Sequence, residues 1–589
     1  MSPPLNRREL LRFATAVGGA GSLASWSGGD LHGETLYPHT VDVARTRGGA
    51  VSCNSAIASS IGMTVIKEGG NAVDAAVATA LAMAVTWPEA GNIGGGGFMM
   101  VSPVNEAPVC IDYRETAPAI VTPTSLAQQR DRRHPKMVGV PGTVRGLGLA
   151  HARFGKLTWD RLVQPAIQLA NHGCVVDGWL ARTLNGVLAS IQKSGNERHQ
   201  PLTNTFAHPA GRPWQIGDVL RQPVLGKTLE RIAAEGSDEF YTGETSRHLA
   251  AYFSKVGGWI TAADLKTYRA VERASIQTAY AGHEIYGPPP PSSGGITVQL
   301  VLRMLEHIGL TGGVDSPSGQ ADWNRDDVHR IAETMRRAFR ERAAYLGDPD
   351  FVSIPDFLST TAYAEELADS ISLDRATDSR DIAGSLVLSD GPPESPQTTH
   401  FSVVDRDGMA VSNTYTLEAS WGSWLLDPAT GFVFNNEMGD FNWVPGYTND
   451  RGQIGSKANQ MAPGKRMLSS QTPTIVRRDG ANVLVTGSPG GRTIINTVIC
   501  ILVQSLNYNR SLPDAIAASR FHHQWLPDAL RLEIGSGESL AELKDSLADY
   551  GHKVTTTSVQ GAAHSIAIEP ATGVRVGVAD WRRGGRVAI

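Results

Sequence analysis

From Thr399 onward the chain carries a pattern that only a sheet can use. Residues 401–405 lead into a turn at Arg406-Asp407-Gly408, and residues 409–417 return as a second run. Asp-Gly between two such runs is a strong hairpin signal and predicts an antiparallel pair. Counting back from a loop of two to four residues sets Thr398 opposite Tyr415, Thr416 or Leu417, so a second hydroxyl, Thr416, falls beside the first. Ahead of the hairpin lies the polar, turn-rich stretch Ser389-Asp390-Gly391-Pro392-Pro393-Glu394-Ser395-Pro396, followed by Gln397-Thr398-Thr399-His400. Two threonines opening a strand are either ordinary β propensity or the mark of a chain that cuts itself before Thr398. In the second case the new N-terminus is nucleophile and base together: its hydroxyl attacks and its α-amine takes the proton. A free α-amine titrates at about 7.7–8.0, near working pH, where general-base catalysis is most efficient.

The 589 residues, 41% of them hydrophobic, suffice for a large core and exceed one small domain. Net charge is −5 with 19% charged residues, so no basic footprint points to nucleic acid. The densest basic run, Arg336, Arg337, Arg340 and Arg342, shares a helical repeat with Val328, Ile331, Ala332, Met335, Ala338 and Phe339. Its arginines are expected on the solvated face of that helix, with Gly347 and Pro349 beyond its end. Four scattered cysteines (Cys53, Cys110, Cys174, Cys500) show neither metal spacing nor a disulfide framework. Cys110 and Cys500 lie in apolar segments and are expected as buried hydrophobes. His522-His523 has no third ligand at suitable spacing and is read as structural.

Asn6-Arg7-Arg8-Glu9-Leu10-Leu11-Arg12 precedes an Ala/Gly-rich run at 13–24. A twin arginine before a mild apolar stretch is similar to a Tat export signal, and no later segment is apolar over a membrane-spanning length. Residues 1–35 are therefore expected to be a leader, and the protein to be exported, periplasmic or extracellular.

The first half reads as mostly helical. Asn71 and Asp74 are placed to cap residues 72–85, a segment almost without charge and hence buried. Gly94-Gly95-Gly96-Gly97 lacks the Gly-Lys-Ser/Thr of a phosphate loop and is expected where backbones pack closely. The prolines at 288–291, followed by Ser292-Ser293-Gly294-Gly295, read as a rigid turn into an apolar helix. Strands at 431–435 and 482–486 are expected to extend the hairpin's sheet. The second runs into Gly487-Ser488-Pro489-Gly490-Gly491 and an apolar helix at 493–506. A glycine turn between strand and helix N-terminus is either simply a tight turn or an anion site, here an oxyanion hole made by the Gly490 and Gly491 amides.

Gln397-Thr398-Thr399-His400, Asn435-Asn436-Glu437-Met438-Gly439-Asp440-Phe441, Leu468-Ser469-Ser470 and Gly487-Ser488-Pro489-Gly490-Gly491 together resemble the γ-glutamyltranspeptidases (glutathione hydrolases). Arg114-Glu115-Thr116-Ala117-Pro118 and Phe521-His522-His523-Gln524-Trp525-Leu526-Pro527 match the same family, from about Gly49 to about Asp580. The resemblance implies an α+β fold: a four-layer αββα sandwich of the N-terminal-nucleophile hydrolase type, two subunits cut from one precursor. The cut would fall between Gln397 and Thr398, giving a helix-rich large subunit at 36–397 and a small one at 398–589. Thr398 would attack the γ-carbonyl of a γ-glutamyl amide such as glutathione, with Thr416 hydrogen-bonded to it and Gly490 and Gly491 holding the oxyanion. The acyl group would pass to water or to an amino acid or peptide acceptor. Arg114, with Ser469 and Ser470, would hold the substrate's α-carboxylate, and Glu437 and Asp440 its α-ammonium. No metal or organic cofactor is implied.

One departure matters. Glu418 stands where many of these enzymes have an Asn that contacts the α-ammonium. Three carboxylates around one cation should raise at least one pKa. Glu418 thus keeps open an acylase of the same fold acting on another amide, a cephalosporin side chain or poly-γ-glutamate. Residues 442–465 are long enough for a lid, with Trp443 and Tyr447 as its aromatic candidates. A catalytically silent exported binding protein, which would remain uncut, is the alternative outside enzymes.

Overall fold

A computed structural model describes residues 40–312, 323–384, 386, 398–449, 454–534, 540 and 543–589. The twin-arginine segment and Gln397 lie outside these residues. Two antiparallel sheets of seven strands form the centre. The first runs, in spatial order, Arg586–Ala588, Ala50–Cys53, Thr399–Val404, Ala410–Thr416, Gly96–Ser102, Val109–Asp112, Val271–Ala274. The second runs Asp42–Thr46, Arg575–Ala579, His564–Ile568, Ala481–Thr486, Thr474–Arg478, His283–Gly287, Ile276–Tyr280.

Strand alternation sorts the side chains into layers. Phe98 and Met100 point between the sheets with Ala50, Val404, Ile475, Val485 and Ile566. Met99 and Val101 point the other way, joining Phe401, Val403, Val411 and Tyr415 against the helices Ala56–Lys67 and Ala72–Thr86. Helices Gly294–Ile308, Arg325–Tyr345 and Thr493–Leu502 cover the outer face of the second sheet. The four layers are α, β, β, α, as the resemblance implied.

The predicted caps form. Asn71 Oδ1 accepts from the amides of Val73 and Asp74, and Asp74 accepts in return from the Asn71 amide, each at 3.0 Å. Every residue of Ala72–Thr86 is buried, and Asp405 in the hairpin turn accepts from the Ala72 amide at 3.0 Å. The end of the glycine run pairs edge to edge with the hairpin's second strand, Gly96 against Thr416 and Gly97 against Tyr415. A Cβ on Gly95 would sit 2.0 Å from the Thr416 carbonyl oxygen, and one on Gly97 would sit 2.4 Å from that of Thr414. Gly95→Ala is therefore expected to cost about 3 kcal/mol through overpacking, read as a lower denaturant midpoint at unchanged slope. Helical Gly186, with nothing near its missing Cβ, is the control: Gly186→Ala should be neutral or stabilising. Equal midpoints for both variants would refute the close-packing account.

Three expectations are corrected. Residues 431–435 form no strand; they contribute only an isolated bridge, Leu426 to Val433. Ala481–Thr486 joins the second sheet, because the two-residue turn Asp479-Gly480, with φ of 51° and 76°, folds it back on Thr474–Arg478. The arginines of helix Arg325–Tyr345 are not solvated: Arg336, Arg337 and Arg342 are buried. Arg336 pairs with Glu333 at 3.1 Å and with Asp528, and Arg337 pairs with Glu333 at 2.7 Å. The apolar stripe packs as expected, but neighbouring segments cover the other faces too, so their cations are neutralised in place. All four cysteines are free and buried. No helix among the described residues is long and apolar enough to cross a membrane.

Candidate active site

The hairpin register Thr399–Tyr415 brings Thr398 beside Thr416, one of the three positions the turn length allowed. Thr398 Oγ1 donates to Thr416 Oγ1 at 3.3 Å. Thr416 Oγ1 also accepts from the Glu418 amide at 2.9 Å, which fixes the hydroxyl at the strand's end. Asn92 Nδ2 holds the Thr416 carbonyl at 3.0 Å. The adjacent Thr399 turns away and donates to Asn54 Oδ1. His400 is buried between Thr414 Oγ1 and Ser402 Oγ at 2.8 and 3.1 Å. Burial, with His564 nearby, pushes its pKa well down, so it is a neutral packing residue.

Thr398 and Thr416 open onto a cavity of about 630 Å³ that also takes in Arg114, Glu418, Glu437, Asp440, Ser469, Ser470 and Gly491. Gly490 lies one residue behind that wall. Its φ of 140°, and the 59° of Gly491, are conformations that favour glycine. They let the strand Ala481–Thr486 turn sharply into helix Thr493–Leu502, whose N-terminus faces the cavity through Gly491 and Arg492.

One end of the cavity is charged. Residues Glu437–Asp440 make a single 3₁₀ turn; Met438 and Phe441 anchor it in an apolar cluster, leaving Glu437 and Asp440 for the cavity. Arg114, at the end of strand Val109–Asp112, reaches Glu437 at 2.7 Å and Asp440 at 2.5 Å. Its remaining contacts are Met467 O at 3.3 Å and, at 3.5 Å, Glu115 and Leu468 O. Burial opposes the guanidinium's charge, but Glu437, Glu115 and Asp440 outweigh it and raise its pKa. Burial drives Glu437 well above the usual carboxylate range against the pull of Arg114. Although Glu437 is within ion-pair distance of Arg114, neither of its buried oxygens accepts an aligned hydrogen bond among the described residues. A buried carboxyl left this way lacks donors, and an incoming cation with hydrogens to donate would supply them and stabilise its charged form.

Ser469 and Ser470 line the cavity just beyond Met467 and Leu468, whose carbonyls Arg114 contacts, and the proline turn holds them. Ser469 N donates to Pro291 O at 2.9 Å, and Ser293 Oγ donates to Ser469 O at 2.7 Å. Ser469 Oγ accepts from the Gln471 amide at 3.1 Å, and Ser470 Oγ accepts from Arg342 at 2.9 Å. Each hydroxyl thus has its own proton left to donate, as a carboxylate requires.

Glu418 is not a bare third carboxylate. Arg132 lies 2.7 Å from it and Asn436 Nδ2 donates to its other oxygen. Burial still raises its pKa to about 7, with Arg132 pulling the other way. Sequence reasoning missed Arg132, Arg342 and Gln471 on the cavity wall; no motif marks them. Both amide atoms of the buried Gln471 side chain lack partners among the described residues. Trp443 and Tyr447 line the cavity too, and Arg132 lies over the Trp443 ring.

His522 and His523 stand apart from this cavity. His522 is satisfied by Asn496 and Gln524, each at 2.7 Å, and His523 faces Asp528 at 3.4 Å. Elsewhere His329, Glu333 and His552 bring possible ligand atoms within 4.8 Å of one another. Glu333 already accepts from Arg336 and Arg337, whose charges oppose a metal cation there.

The family model described as Gamma-glutamyltranspeptidase matches residues 58–589. The chain belongs to this family. It is 41% identical over 534 residues to the glutathione hydrolase proenzyme of Escherichia coli (strain K12), covering 89% of each chain. It is 34% identical to the acylase ACY 1 proenzyme of Pseudomonas sp. (strain SE83), over 91% of this chain and 92% of that one. Among solved structures, the cephalosporin acylase from Bacillus halodurans superposes with a TM-score of 0.81 at 25% identity, covering 95% of this chain and 98% of that one. The Helicobacter pylori γ-glutamyltranspeptidase does so with a TM-score of 0.52 at 34% identity, over 57% and 96%. As a γ-glutamyltranspeptidase the chain is an N-terminal-nucleophile hydrolase, a γ-glutamyl hydrolase and transferase made as a proenzyme.

Proposed function

We propose that the chain cuts itself between Gln397 and Thr398 and then cleaves γ-glutamyl amides such as glutathione through Thr398. In the precursor, Thr398 Oγ1 attacks the Gln397 carbonyl and the C–N bond breaks, so the amide becomes an ester and the Thr398 α-amine is freed. Water then hydrolyses the ester, releasing Oγ1 and the Gln397 carboxylate. The products are a large subunit, 36–397 after loss of the leader, and a small one, 398–589. In the mature enzyme the α-amine takes the hydroxyl proton as Oγ1 attacks the γ-carbonyl. The Gly490 and Gly491 amides receive the oxyanion. The proton passes to the departing amine, and the γ-glutamyl ester goes to water or to an acceptor amine. Thr416, fixed by the Glu418 amide, aligns Oγ1.

The observation that carries the substrate reading is the buried Glu437 carboxylate without an aligned hydrogen bond, next to Arg114, in the cavity onto which Thr398 opens. An α-ammonium fits Glu437 and Asp440. An α-carboxylate fits the Ser469 and Ser470 hydroxyls and Arg114. Besides their pairs with Glu437 and Asp440, Nη1 and Nη2 of Arg114 make only 3.5 Å contacts, to Glu115 and Leu468 O, that a carboxylate could replace. The twin-arginine leader supports export.

A second reading, an acylase for an acyl group without an α-ammonium, draws on the Arg132–Glu418 pair, which partly neutralises that end of the cavity. Comparing γ-glutamyl and glutaryl p-nitroanilides separates the two. Loss of two charge-assisted hydrogen bonds, about 2 kcal/mol each, predicts kcat/KM about a thousandfold lower for the glutaryl amide. A preference for the glutaryl amide would make the acylase the function.

A further inference from the structure

Arg132 has no part in the chemistry above, yet it reaches Glu418 across 286 residues of chain. We propose that Arg132 is a positioning residue of the α-ammonium site: it holds Glu418 as a charged, aimed third acceptor beside Glu437 and Asp440. The inference rests on the γ-glutamyl reading and adds to it the residue that makes a buried third carboxylate usable.

The geometry is specific. Glu418 has φ of 75°, a backbone conformation that a residue with a Cβ rarely adopts, and its amide is bound to Thr416 Oγ1. The backbone that aligns the nucleophile's neighbour therefore also points the Glu418 side chain. That side chain is gripped from two sides, by Arg132 and by Asn436, and Asn436 Oδ1 further accepts from the Ala419 amide at 3.1 Å. The binding turn itself makes room for Arg132: a Cβ on Gly439 would come within 2.8 Å of the Arg132 guanidinium. On its other side the guanidinium lies 5.6 Å from the centre of the Trp443 ring.

Charge explains the need. Arg114 is already shared among Glu437, Asp440 and Glu115, so it cannot also neutralise Glu418. The groups bearing on Glu418 are Arg132, Arg133, Asn436, Asp440 and Glu437. Arg133 is engaged elsewhere, with the Ser420 and Gly422 carbonyls and over the Trp424 ring. Among the described residues, Arg132 is thus the cation in direct contact. With Arg132 present, burial already carries Glu418 to about 7. Without it the charged form loses its stabilising neighbour and the pKa rises further, leaving a neutral carboxyl that attracts an ammonium far less.

The test compares native enzyme with Arg132→Gln, Arg132→Lys, Glu418→Gln and the double variant Arg132→Gln/Glu418→Gln across about pH 6 to 9. The donors are the γ-glutamyl and glutaryl p-nitroanilides. R132Q is expected to raise KM for the γ-glutamyl amide at neutral pH about tenfold and to move the acidic limb of kcat/KM up by about one unit. Its kcat at saturation, and its turnover of the glutaryl amide, should match the native enzyme. R132K should restore most of the loss, and R132Q should add nothing in the E418Q background. An unmoved limb, equal losses for both donors or additive effects in the double variant would overturn the proposal while leaving the γ-glutamyl reading intact. A native enzyme that uses the glutaryl amide and not the γ-glutamyl one would overturn both.

Discussion

Replacing Thr398 with alanine is expected to leave the chain in one piece and without activity. The native protein should separate on a denaturing gel into two fragments, the smaller beginning at Thr398 by intact mass. The alanine variant has no hydroxyl to attack the Gln397 carbonyl, so neither the ester nor the free α-amine forms. Loss of an essential nucleophile in another hydrolase lowers kcat by about six orders of magnitude, and a comparable loss is expected here because Thr398 is also the base. Thr398→Ser should still cut itself, since serine carries the same hydroxyl and α-amine. Thr416→Ala should fall between, because Thr416 orients Oγ1 at 3.3 Å without reacting. An uncut native chain after incubation at neutral pH would remove the catalytic amine from the scheme and turn the reading to the silent binding protein. A cut at another residue would move the nucleophile.

Replacing Arg114 with lysine is expected to raise KM for a γ-glutamyl amide about a hundredfold with a much smaller effect on kcat. Lysine keeps the charge among Glu437, Asp440 and Glu115 but loses the planar fork. Two hydrogen bonds to a carboxylate at about 1.5 kcal/mol each make up about 3 kcal/mol, close to two factors of ten. The conservative change matters because Arg114 is almost wholly buried and its ion pairs are structural as well. Arg114→Ala would strand those carboxylates, at a cost of about 3–5 kcal/mol in stability, and confound binding with folding. An Arg114→Lys enzyme with native KM for the γ-glutamyl amide and native melting behaviour would place the carboxylate elsewhere, with Arg342 behind Ser470 as the next cation.

The parts legible in the sequence are those whose physics is local. A short Asp-Gly loop leaves few registers, so loop length alone sets Thr416 near Thr398. Asn71 and Asp74 announce a helix start because a cap is made within one turn. Four glycines in a row favour close backbone approach, and Gly95 and Gly97 make it against the Thr416 strand while Gly94 and Gly96 make it against Val433 and Tyr113. The charged site residues were legible only as a set of motifs in order, since Arg114 or Ser469-Ser470 alone has many uses.

Tertiary structure decided what depends on partners distant in sequence. Whether Ala481–Thr486 extends the hairpin's sheet or the facing one is a choice between neighbours, and alternation along the strand is the same in both. Arg336, Arg337 and Arg342 read as a solvated face because a helical repeat reports only the stripe that meets the core; segments packing on the other sides buried them with counter-charges. Glu418 read as an unbalanced third carboxylate because Arg132, its partner, belongs to a loop with no motif of its own. A side chain's chemical type is written in the chain, but its charge state and aim are set by the groups that the fold brings within a few ångströms of it.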